Sequence, residues 1–517
     1  MLRIASQTLS TTLAILGLAA CADSPPRPDL FAPAALTASA SAPENGKHLV
    51  VFTGDTAPAD FEARVSARGG SVERVFAGAG LAVLRGLTDA AALDLASTRG
   101  IDAVERDMTI GPDSPDEPVD VDAVEAASPS AAAEATADAS TAGSSRTAKY
   151  YARQWNLRAI GANLAWGMEG AAEVRVFILD TGIDYDHPDL KGRVDLSPEG
   201  GSVSLLSHLE KPGDEDMLTG FSAGDPHLVM DFHSHGTSVA SVIVSNDSLV
   251  AGVTKKTKIV SVKVHDRRRT GDISVYVEGI IYAATHGADV IHLSIPAQFD
   301  KHEHPGAVAA INAATGYAHR KGAVLVAAAG NAIPPTPPTN FDRDQDGFKF
   351  CNAAHVICVS ATAPTSASFA PDGLVEPVNV DEWAPYSFYG RSTISVAGPG
   401  GGPFMTRTAL TAVPLACSRR SQTVLDGRSR CSTNVQVNPI GKEDPVWYST
   451  GTSFGAAATS GLAALLVSRL GHGQPERIRD TIETSSDDLG DPGRDAKFGW
   501  GGINVVRAIG LLNQPQP

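Results

Sequence analysis

Short, almost continuously apolar runs alternate with amphipathic stretches over the larger, C-terminal part of the chain. The apolar runs read EVRVFILD, KIVSVKV, ADVIHLSI, GAVLVAAAGN and HVICVSAT, and helical patterns separate them after His235, in ISVYVEGIIYAATHG and around 306–320. Apolar strands between amphipathic helices are typical of a parallel sheet covered on both faces. We therefore predict an α/β domain with a doubly wound, mostly parallel sheet over residues 149–512, with ligands bound beyond the carboxyl ends of its strands.

A smaller pattern precedes this domain. Over residues 46–110 short strands alternate with two helices in the order βαββαβ, which predicts a small α+β domain of the ferredoxin-like type. Phe61 and Val65 are spaced to share one helical face, and Thr88 is a candidate cap for the second helix. The chain is thus predicted to contain two folded domains.

Three further segments lack this periodicity. The N-terminal stretch MLRIASQTLSTTLAILGLAAC has an early arginine and an apolar run of about a dozen residues, too short to span a bilayer, so residues 1–20 are predicted to be an export signal. Residues 21–45 are rich in Pro, Ala and Ser and predict a spacer, and residues 111–148 predict an acidic, Ala/Ser-rich linker. No later segment has enough unbroken apolar length to predict a membrane span.

The letters LAAC at the end of the predicted signal resemble the cleavage box of bacterial lipoproteins, in which Cys21 would become the lipidated first residue. The alternative is an ordinary signal peptide that contains a chance cysteine. The first interpretation predicts a lipoprotein attached to the membrane of a bacterial cell envelope, and the second predicts a secreted protein.

Composition and charge narrow the classes of function. The chain has 517 residues, of which 43% are hydrophobic, so it can fill a sizeable core, and its formal net charge is −16. Eight acidic residues and no Lys or Arg lie between Gly111 and Ser145, so half of that charge belongs to the linker. The net negative charge argues against a nucleic-acid partner, which would need a basic face. Because half of that charge belongs to the linker, no acidic binding face need be inferred.

If Cys21 carries lipid, four of the five cysteines remain for disulfide bonds. Without Cys21, the remaining four form an even set, as is usual for disulfides in exported proteins. Local pairs Cys351–Cys358 and Cys417–Cys431 are the simplest of the three connectivities. Free, buried thiols are the alternative.

Four polar residues stand where buried strands end or helices begin. Asp180 follows the strand VRVFIL, and its carboxylate would be costly to bury there without a partner. His235 precedes an apolar helix, Asn331 ends the strand GAVLVAAAG, and Ser453 begins the helix TSFGAAATSGLAALL. Each residue alone also fits a structural role, as a turn residue, a solvated side chain or a helix cap.

The segments DTGID, HGTSVA, AAAGN and GTSFGAAATSG, in this order, resemble the four hallmark segments of the subtilisin-like serine proteases, and the resemblance spans about residues 150–510. It implies an exported serine endopeptidase that acts on protein or peptide substrates and needs no cofactor for its chemistry. It further implies that Ser453 is the nucleophile, His235 the general base and then acid, and Asp180 the residue that orients the histidine. Asn331 would bind the oxyanion together with the backbone N–H of Ser453.

The same resemblance covers the smaller domain and the substrate cleft. It implies that residues 46–110 are an inhibitory propeptide, so that the enzyme's own N-terminal domain is one of its partners; an unrelated small α+β domain is the alternative. It also implies that Ser294, Ile295, Ala328 and Gly330 border the bound substrate.

Two segments depart from the family pattern. LSIPAQ stands where relatives commonly have Ser-Leu-Gly-Gly, and Pro296 has no N–H, so pairing with a substrate strand should lose a bond or shift. Ala457 and Ala458 stand where relatives usually carry Pro and His. Pro296 leaves room for a catalytically weak, envelope-anchored binding protein on the same fold, whereas the two alanines do not touch the proposed triad. An exopeptidase on the same scaffold is a third possibility.

An acidic loop raises the question of a metal. FDRDQDGF has Asp342, Asp344 and Asp346 at the opening spacing of calcium loops, but Ala353 stands where an EF-hand needs its last acid. A structural calcium in a loop of another class and a solvated acidic turn both stay open. Asp189 matches a position that serves as a calcium ligand in some family members.

Overall fold

The structure is a computed structural model of the chain, and every described residue belongs to one compact unit, Ser39–Pro517. The predicted signal, the spacer and most of the linker lie outside the described residues, as do Cys21, Pro296 and Cys431. The described residues are 46–111, 147–206, 227–266, 269–295, 298–332, 336–344, 346–402, 409–419, 424–425, 428–429 and 444–513.

The N-terminal part folds in the predicted order βαββαβ. Its four strands form an antiparallel sheet in the order β2-β3-β1-β4. Helix α1 buries Phe61 and Val65, and Thr88 Oγ1 accepts the Ala91 N–H at 3.3 Å at the start of α2. The elements are β1 Lys47–Phe52, α1 Phe61–Ser66, β2 Ser71–Phe76, β3 Leu81–Arg85, α2 Asp89–Ala96 and β4 Ile101–Arg106.

The C-terminal part begins with short helices and builds the larger sheet from strands that alternate with helices. After β5 Thr109–Ile110, which ends the N-terminal part, its first elements are α3 Trp155–Ala159, α4 Ala162–Ala165, β6 Arg175–Asp180, β7 Val203–Ser204, α5 His235–Ile243, β8 Lys258–Lys263, β9 Gly271–Asp272, α6 Ile273–Thr285, β10 Val290–Leu293, β11 Phe299–Asp300, α7 Pro305–Arg320 and β12 Val324–Ala328.

Shorter strands and the last helices complete the fold. They are β13 Gly347–Phe348, β14 Val356–Ala363, β15 Ser366–Phe369, β16 Val375–Val378, β17 Glu382–Trp383, β18 Val396–Pro399, β19 Val413–Ala416, β20 Val424–Leu425, β21 Arg428–Ser429, β22 Val446–Ser449, α8 Thr452–Leu470, α9 Pro475–Ser485 and α10 Val505–Leu512. Single 3₁₀ turns lie at Tyr151–Arg153, Phe350–Asn352 and Ala409–Thr411.

The central sheet is parallel in the order β7-β8-β6-β10-β12-β14, with β18 parallel and β17 antiparallel beside β14. Side chains of β6 alternate between two cores. Val176 and Ile178 pack with α5 and α8, whereas Phe177 and Leu179 pack with α6 and α7. Because both faces of the sheet are covered, its strands are apolar throughout, and the predicted doubly wound α/β fold is confirmed.

Chain order within this sheet creates a crevice. The chain runs outward from β6 to β8 and then returns to β10 on the other side of β6. At such a switch the loops beyond the carboxyl ends of the two strands diverge and leave a crevice in which ligands bind. Asp180 ends β6 and Ser294 follows β10, so both lie at this edge.

Helix α8 runs through the middle of one core. Its length and composition would allow it to cross a membrane, although no membrane span is predicted from the sequence after the signal. However, 89% of its most apolar window is buried inside the protein. Its small residues allow close packing: a Cβ on Gly455 would lie 2.8 Å from the Gly398 carbonyl oxygen. It is therefore a core helix.

The N-terminal sheet packs on α6 and α7 and adds two carboxylates to the starts of these helices. Asp107 Oδ1 accepts the Ser274 N–H at 3.0 Å, and Glu105 Oε2 accepts the Gly306 N–H at 3.2 Å. Negative charge is favourable at a helix N-terminus, where backbone N–H groups lack acceptors. Just beyond, β5 pairs with β9 in antiparallel fashion.

One predicted cysteine pair is present in the structure. Cys351 and Cys358 form a disulfide that joins the turn before β14 to the strand itself. Cys417 is also disulfide-bonded, but its partner lies outside the described residues, so the pairing with Cys431 stays a prediction.

Candidate active site

Asp180 and His235 form a buried pair at the crevice. His235 Nδ1 lies 2.9 Å from Asp180 Oδ1 and 2.8 Å from Oδ2. The aspartate is 1% exposed and the histidine 4%. The Thr181 N–H also donates to Oδ1, at 2.7 Å. A carboxylate bonded to Nδ1 places the other ring nitrogen, Nε2, on the far side, where it can take a proton.

The charge on Asp180 is stabilised by its neighbours. Burial raises the pKa of the Asp180 carboxyl, but attraction to His235, the hydrogen bond to His235, and the nearby His265 and Arg269 outweigh burial. The net effect is a pKa well below the usual range. Asp180 therefore stays ionised at neutral pH and can stabilise a proton on His235.

Close approach of α5 to β6 brings the pair together. A Cβ on Gly236 would lie 2.1 Å from the Gly182 carbonyl oxygen and 3.3 Å from Asp180 Oδ1. Any other residue at this position would push the helix, and His235 with it, away from the aspartate. This is why a glycine follows the histidine.

Asp231 holds the start of α5, a role that sequence reasoning missed. Its carboxylate is fully buried and accepts the N–H groups of His233, Ser234 and Thr237 at 2.9, 2.8 and 2.9 Å. Ser234 has φ 90°, a left-handed conformation that costs energy for a residue other than glycine. The acidic residue four positions before His235 was the available signal, since carboxylates commonly stabilise helix N-termini.

Ser453 is the second residue of α8 and is 5% exposed. Its Oγ accepts a hydrogen bond from Ser294 Oγ at 2.6 Å. The described residues include no hydrogen bond between Ser453 and His235, although the ring of the adjacent Phe454 lies 6.2 Å from the His235 ring. Since Ser294 donates, the hydroxyl proton of Ser453 remains available to a base.

The Asn331 amide is oriented beside the start of α8. Its Oδ1 accepts the Thr452 N–H at 2.9 Å and the Thr452 Oγ1–H at 3.0 Å. This fixes which end of the amide faces the helix and leaves Nδ2 as a donor near Gly451, where a Cβ would lie 3.4 Å from it. An oxyanion formed beside Ser453 could accept from Nδ2 and from a free N–H of the first turn.

The residues predicted to border substrate lie around these groups. Ser294 and the buried Ile295 follow β10, and Ala328 ends β12. The Gly330 N–H donates to Thr452 Oγ1 at 3.1 Å. Lys349, which sequence reasoning missed, is 1% exposed and packs against Gly330, its Nζ 4.8 Å from the centre of the Phe388 ring.

The acidic loop does not gather its carboxylates. The structure gives them separate partners, and the calcium interpretation stays a prediction without geometric support. Asp342 accepts the N–H groups of Arg391 and Ser392 at 2.6 and 2.9 Å, Asp344 accepts the Asn340 N–H at 2.8 Å, and Asp346 lies 3.2 Å from His302.

Asp189 is likewise occupied by protein donors. Its Oδ1 accepts the N–H groups of Ser248 and Leu249 at 2.8 and 2.9 Å and the Ser245 hydroxyl at 3.0 Å. Its Oδ2 accepts the Val250 N–H at 3.2 Å. The loop is thus held around Asp189 by three backbone amides and one hydroxyl, and a role of Asp189 as a calcium ligand stays a prediction.

Two buried histidines behind the pair predict acid sensitivity. Burial lowers the pKa of His265 to about 3 and that of His292 to about 4. An unfolded chain would protonate both near pH 6.5, so between that pH and about 4 the unfolded state binds more protons and stability falls as pH falls. Each should cost about 2 kcal/mol of unfolding free energy between pH 7.5 and 5.

Urea titrations of a Ser453→Ala background, which prevents self-digestion, measure this loss. Neither ring nitrogen of His265 has a hydrogen-bond partner among the described residues. We expect His265→Leu to remove about 2 kcal/mol of the loss between pH 7.5 and 5. An identical loss in both proteins would contradict this assignment.

The Ser294 hydroxyl predicts a smaller, kinetic effect. Ser294→Ala removes the bond that orients Ser453 Oγ, which is worth about 1 kcal/mol, and should lower kcat roughly fivefold with little change in KM. Ser294→Thr, which keeps a hydroxyl, should restore most of the rate. A rise in KM with kcat unchanged would instead argue for a role in substrate binding alone.

The arrangement can take the proton of a serine, stabilise the cation that results and hold the oxyanion that forms on a carbonyl. These are the abilities of the triad-type serine hydrolases, here on a doubly wound sheet. The chain belongs to the subtilase family: residues 171–501 match that family (Subtilase family, Peptidase S8). It is a subtilisin-like serine endopeptidase.

Relatives and solved structures agree with this membership. A thermophilic serine proteinase from Bacillus sp. (strain AK1) is 28% identical over 365 residues, which cover 70% of this chain and 68% of the relative. Thermitase from Thermoactinomyces vulgaris is 28% identical over 226 residues, covering 42% and 72%.

Among solved structures, the epidermin leader peptide processing serine protease of Staphylococcus aureus has a TM-score of 0.63 at 18% identity, covering 91% of this chain and 99% of its own. Fervidolysin from Fervidobacterium pennivorans has a TM-score of 0.60 at 21% identity, covering 91% and 61%. At such identities these two likenesses show the fold.

Proposed function

We propose that the chain is an exported endopeptidase that hydrolyses peptide bonds through Asp180, His235 and Ser453, and that it is made as a precursor inhibited by its own N-terminal domain. The observation that carries the catalytic part is the buried pair of His235 Nδ1 and Asp180 at 2.8 Å, located at the sheet edge where α8 presents Ser453.

The reaction follows from this geometry. Ser453 Oγ attacks the carbonyl carbon of the scissile bond as its proton passes to His235 Nε2, and Asp180 stabilises the imidazolium. Asn331 Nδ2 and the backbone N–H of Ser453 bind the oxyanion. His235 then gives its proton to the leaving amine, which breaks the C–N bond and leaves an acyl-enzyme. Water, deprotonated by His235, then attacks the acyl carbon. The ester bond to Ser453 Oγ breaks, the acid leaves, and the proton on His235 returns to the serine.

A serine-reactive phosphonate probe tests the catalytic proposal. The mature protein should be labelled once per chain, and Ser453→Ala should not be labelled. Peptides blocked at both ends should be cut internally; trimming of unblocked peptides alone would favour an exopeptidase. An unlabelled, folded, processed wild-type protein would favour the binding protein, for which the missing N–H of Pro296 leaves room.

The N-terminal domain is proposed to be an inhibitory propeptide. Its support is the way it packs on α6 and α7, with Asp107 and Glu105 at the starts of these helices. Its last described residues also support it. Thr109 and Ile110 pair with β9, which lies in the connection between β8 and α6.

Self-processing measures this second part. Mass spectrometry of the activated protein should find a new N-terminus beyond residue 110, and the Ser453→Ala protein should stay uncut. The N-terminal fragment of the wild type would report lipid on Cys21, and hence attachment to a membrane, in the same experiment. An active enzyme that keeps residues 46–110 covalently attached would contradict the propeptide assignment.

A further inference from the structure

Three side chains from separate segments meet on the edge of the fold that is opposite the active site. His319 lies in the last turn of α7, His355 directly precedes β14, and Glu476 lies in the first turn of α9. One ligand atom from each of the three lies within 4.8 Å of the others. Since α7 leads into β12, the cluster lies at the amino ends of β12 and β14, whereas the catalytic residues lie at the carboxyl ends.

The contacts within the cluster are close. His319 Nε2 lies 2.7 Å from Glu476 Oε1, and His355 Nδ1 lies 3.7 Å from the same oxygen. The two imidazole rings are stacked, with centroids 4.0 Å apart and planes within 14°. Both histidines thus turn a ring nitrogen toward one carboxylate.

His319 Nε2 is not satisfied by this approach. The atom is buried and makes no hydrogen bond with any described residue, because the glutamate oxygen, although near, lies off the direction of an N–H bond. A buried polar atom without a hydrogen bond from the protein is costly, so this nitrogen is open to an ion or a water. An ion beside it would face two imidazole nitrogens and one carboxylate.

These donors suit a transition metal. Zinc bonds to histidine nitrogen and carboxylate oxygen at about 2.0–2.2 Å in a tetrahedron, so two of its ligand atoms lie roughly 3.3 Å apart. The observed separations of 2.7 and 3.7 Å fall on either side of that value. Because the nitrogen lone pairs lie in the ring planes, the two stacked imidazoles must rotate out of their parallel arrangement to share one ion. Imidazole with carboxylate favours zinc, nickel or copper over calcium and magnesium, which prefer oxygen alone.

We propose that His319 Nε2, His355 Nδ1 and Glu476 Oε1 bind one divalent transition-metal ion of the zinc class, with water as the fourth ligand. The ion would link α7, α9 and the turn before β14. The site is distinct from the catalytic residues and independent of their mechanism, so its function is to stabilise the fold.

The state of His355 agrees with this role. Its φ of 64° is left-handed, an uncommon and costly conformation that places the ring against His319.

Zinc titration of the full-length Ser453→Ala protein by calorimetry tests the site. We expect one zinc ion per chain and a Tm that rises by several degrees at a 100-fold excess over Kd. His319→Gln and Glu476→Gln should each weaken binding at least about tenfold. The matched control is His302→Gln, which removes an exposed histidine that also lies 3.2 Å from a carboxylate, that of Asp346, and should bind zinc unchanged.

Anomalous scattering at the zinc absorption edge locates the ion. A peak between the three side chains supports the proposal. The proposal is overturned if zinc binds equally well to His319→Gln. It is also overturned if zinc binding is lost only in His235→Gln, because the ion would then lie at the active site. A folded wild-type protein that binds no zinc at millimolar concentration overturns it as well.

Discussion

Ser453→Ala is expected to lower kcat of the mature enzyme by about 10⁶-fold, as loss of the nucleophile does in subtilisin. The reason is that, in the proposed reaction, Ser453 Oγ attacks the scissile carbonyl and carries the acyl group, so no acyl-enzyme forms without it. Because Ser453 is small and Ala differs by one atom, the fold should persist.

Another serine of the same helix, Ser468, provides the control. Ser468 lies 15 positions along α8, about 22 Å from Ser453, and its hydroxyl donates to Leu465 O and accepts the Gly170 N–H. Ser468→Ala should keep kcat within a few-fold of wild type. Initial rates on a doubly blocked peptide measure both variants. Residual activity of Ser453→Ala above about 1% that survives repurification would require a different nucleophile.

Asp180→Asn is expected to lower kcat by about 10⁴-fold at neutral pH, with KM nearly unchanged. The carboxylate accepts from His235 Nδ1 through both oxygens. An amide offers an N–H at one of those positions, so the imidazole loses the tautomer in which Nε2 is a base. The substitution also removes a negative charge that stabilises the imidazolium, since the lowered pKa of Asp180 keeps that carboxylate charged in the wild type.

Asp184→Asn is the matched control, because Asp184 lies in the same loop and is also buried, yet accepts the Arg419 N–H at 3.0 Å instead of a histidine proton. It should retain kcat within about tenfold. If both variants lost the same amount, the loss in Asp180→Asn would reflect a distorted loop and not the orientation of His235.

Part of the fold was predictable because periodicity is a local property. The apolar run ending in Asp180 predicts a buried strand, and the spacing of Phe61 and Val65 predicts a helix face; both are found. The order βαββαβ and the α/β alternation were likewise confirmed. Membership of the subtilases also followed from short motifs, since a family's order of segments is read along the chain.

Contacts between distant segments were not predictable in this way. The Ser294 hydroxyl that orients Ser453 is 159 positions away from it, and nothing in LSIPAQ indicates that it donates a hydrogen bond to the nucleophile. The acidic loop predicted a metal from spacing alone. In the fold, Asp342 accepts the N–H groups of Arg391 and Ser392, contacts that spacing along the chain does not indicate.

The sequence by itself determined the alternation of strands and helices, the family, and the residues proposed to serve the reaction, because these depend on neighbours in the chain. Only the tertiary structure decided that Asp231 holds the start of α5, that Gly236 permits the approach of His235 to Asp180, and that His319, His355 and Glu476 converge. Such meetings depend on where the packed sheet brings three or four segments together, and hydrophobic periodicity carries no information about that distance.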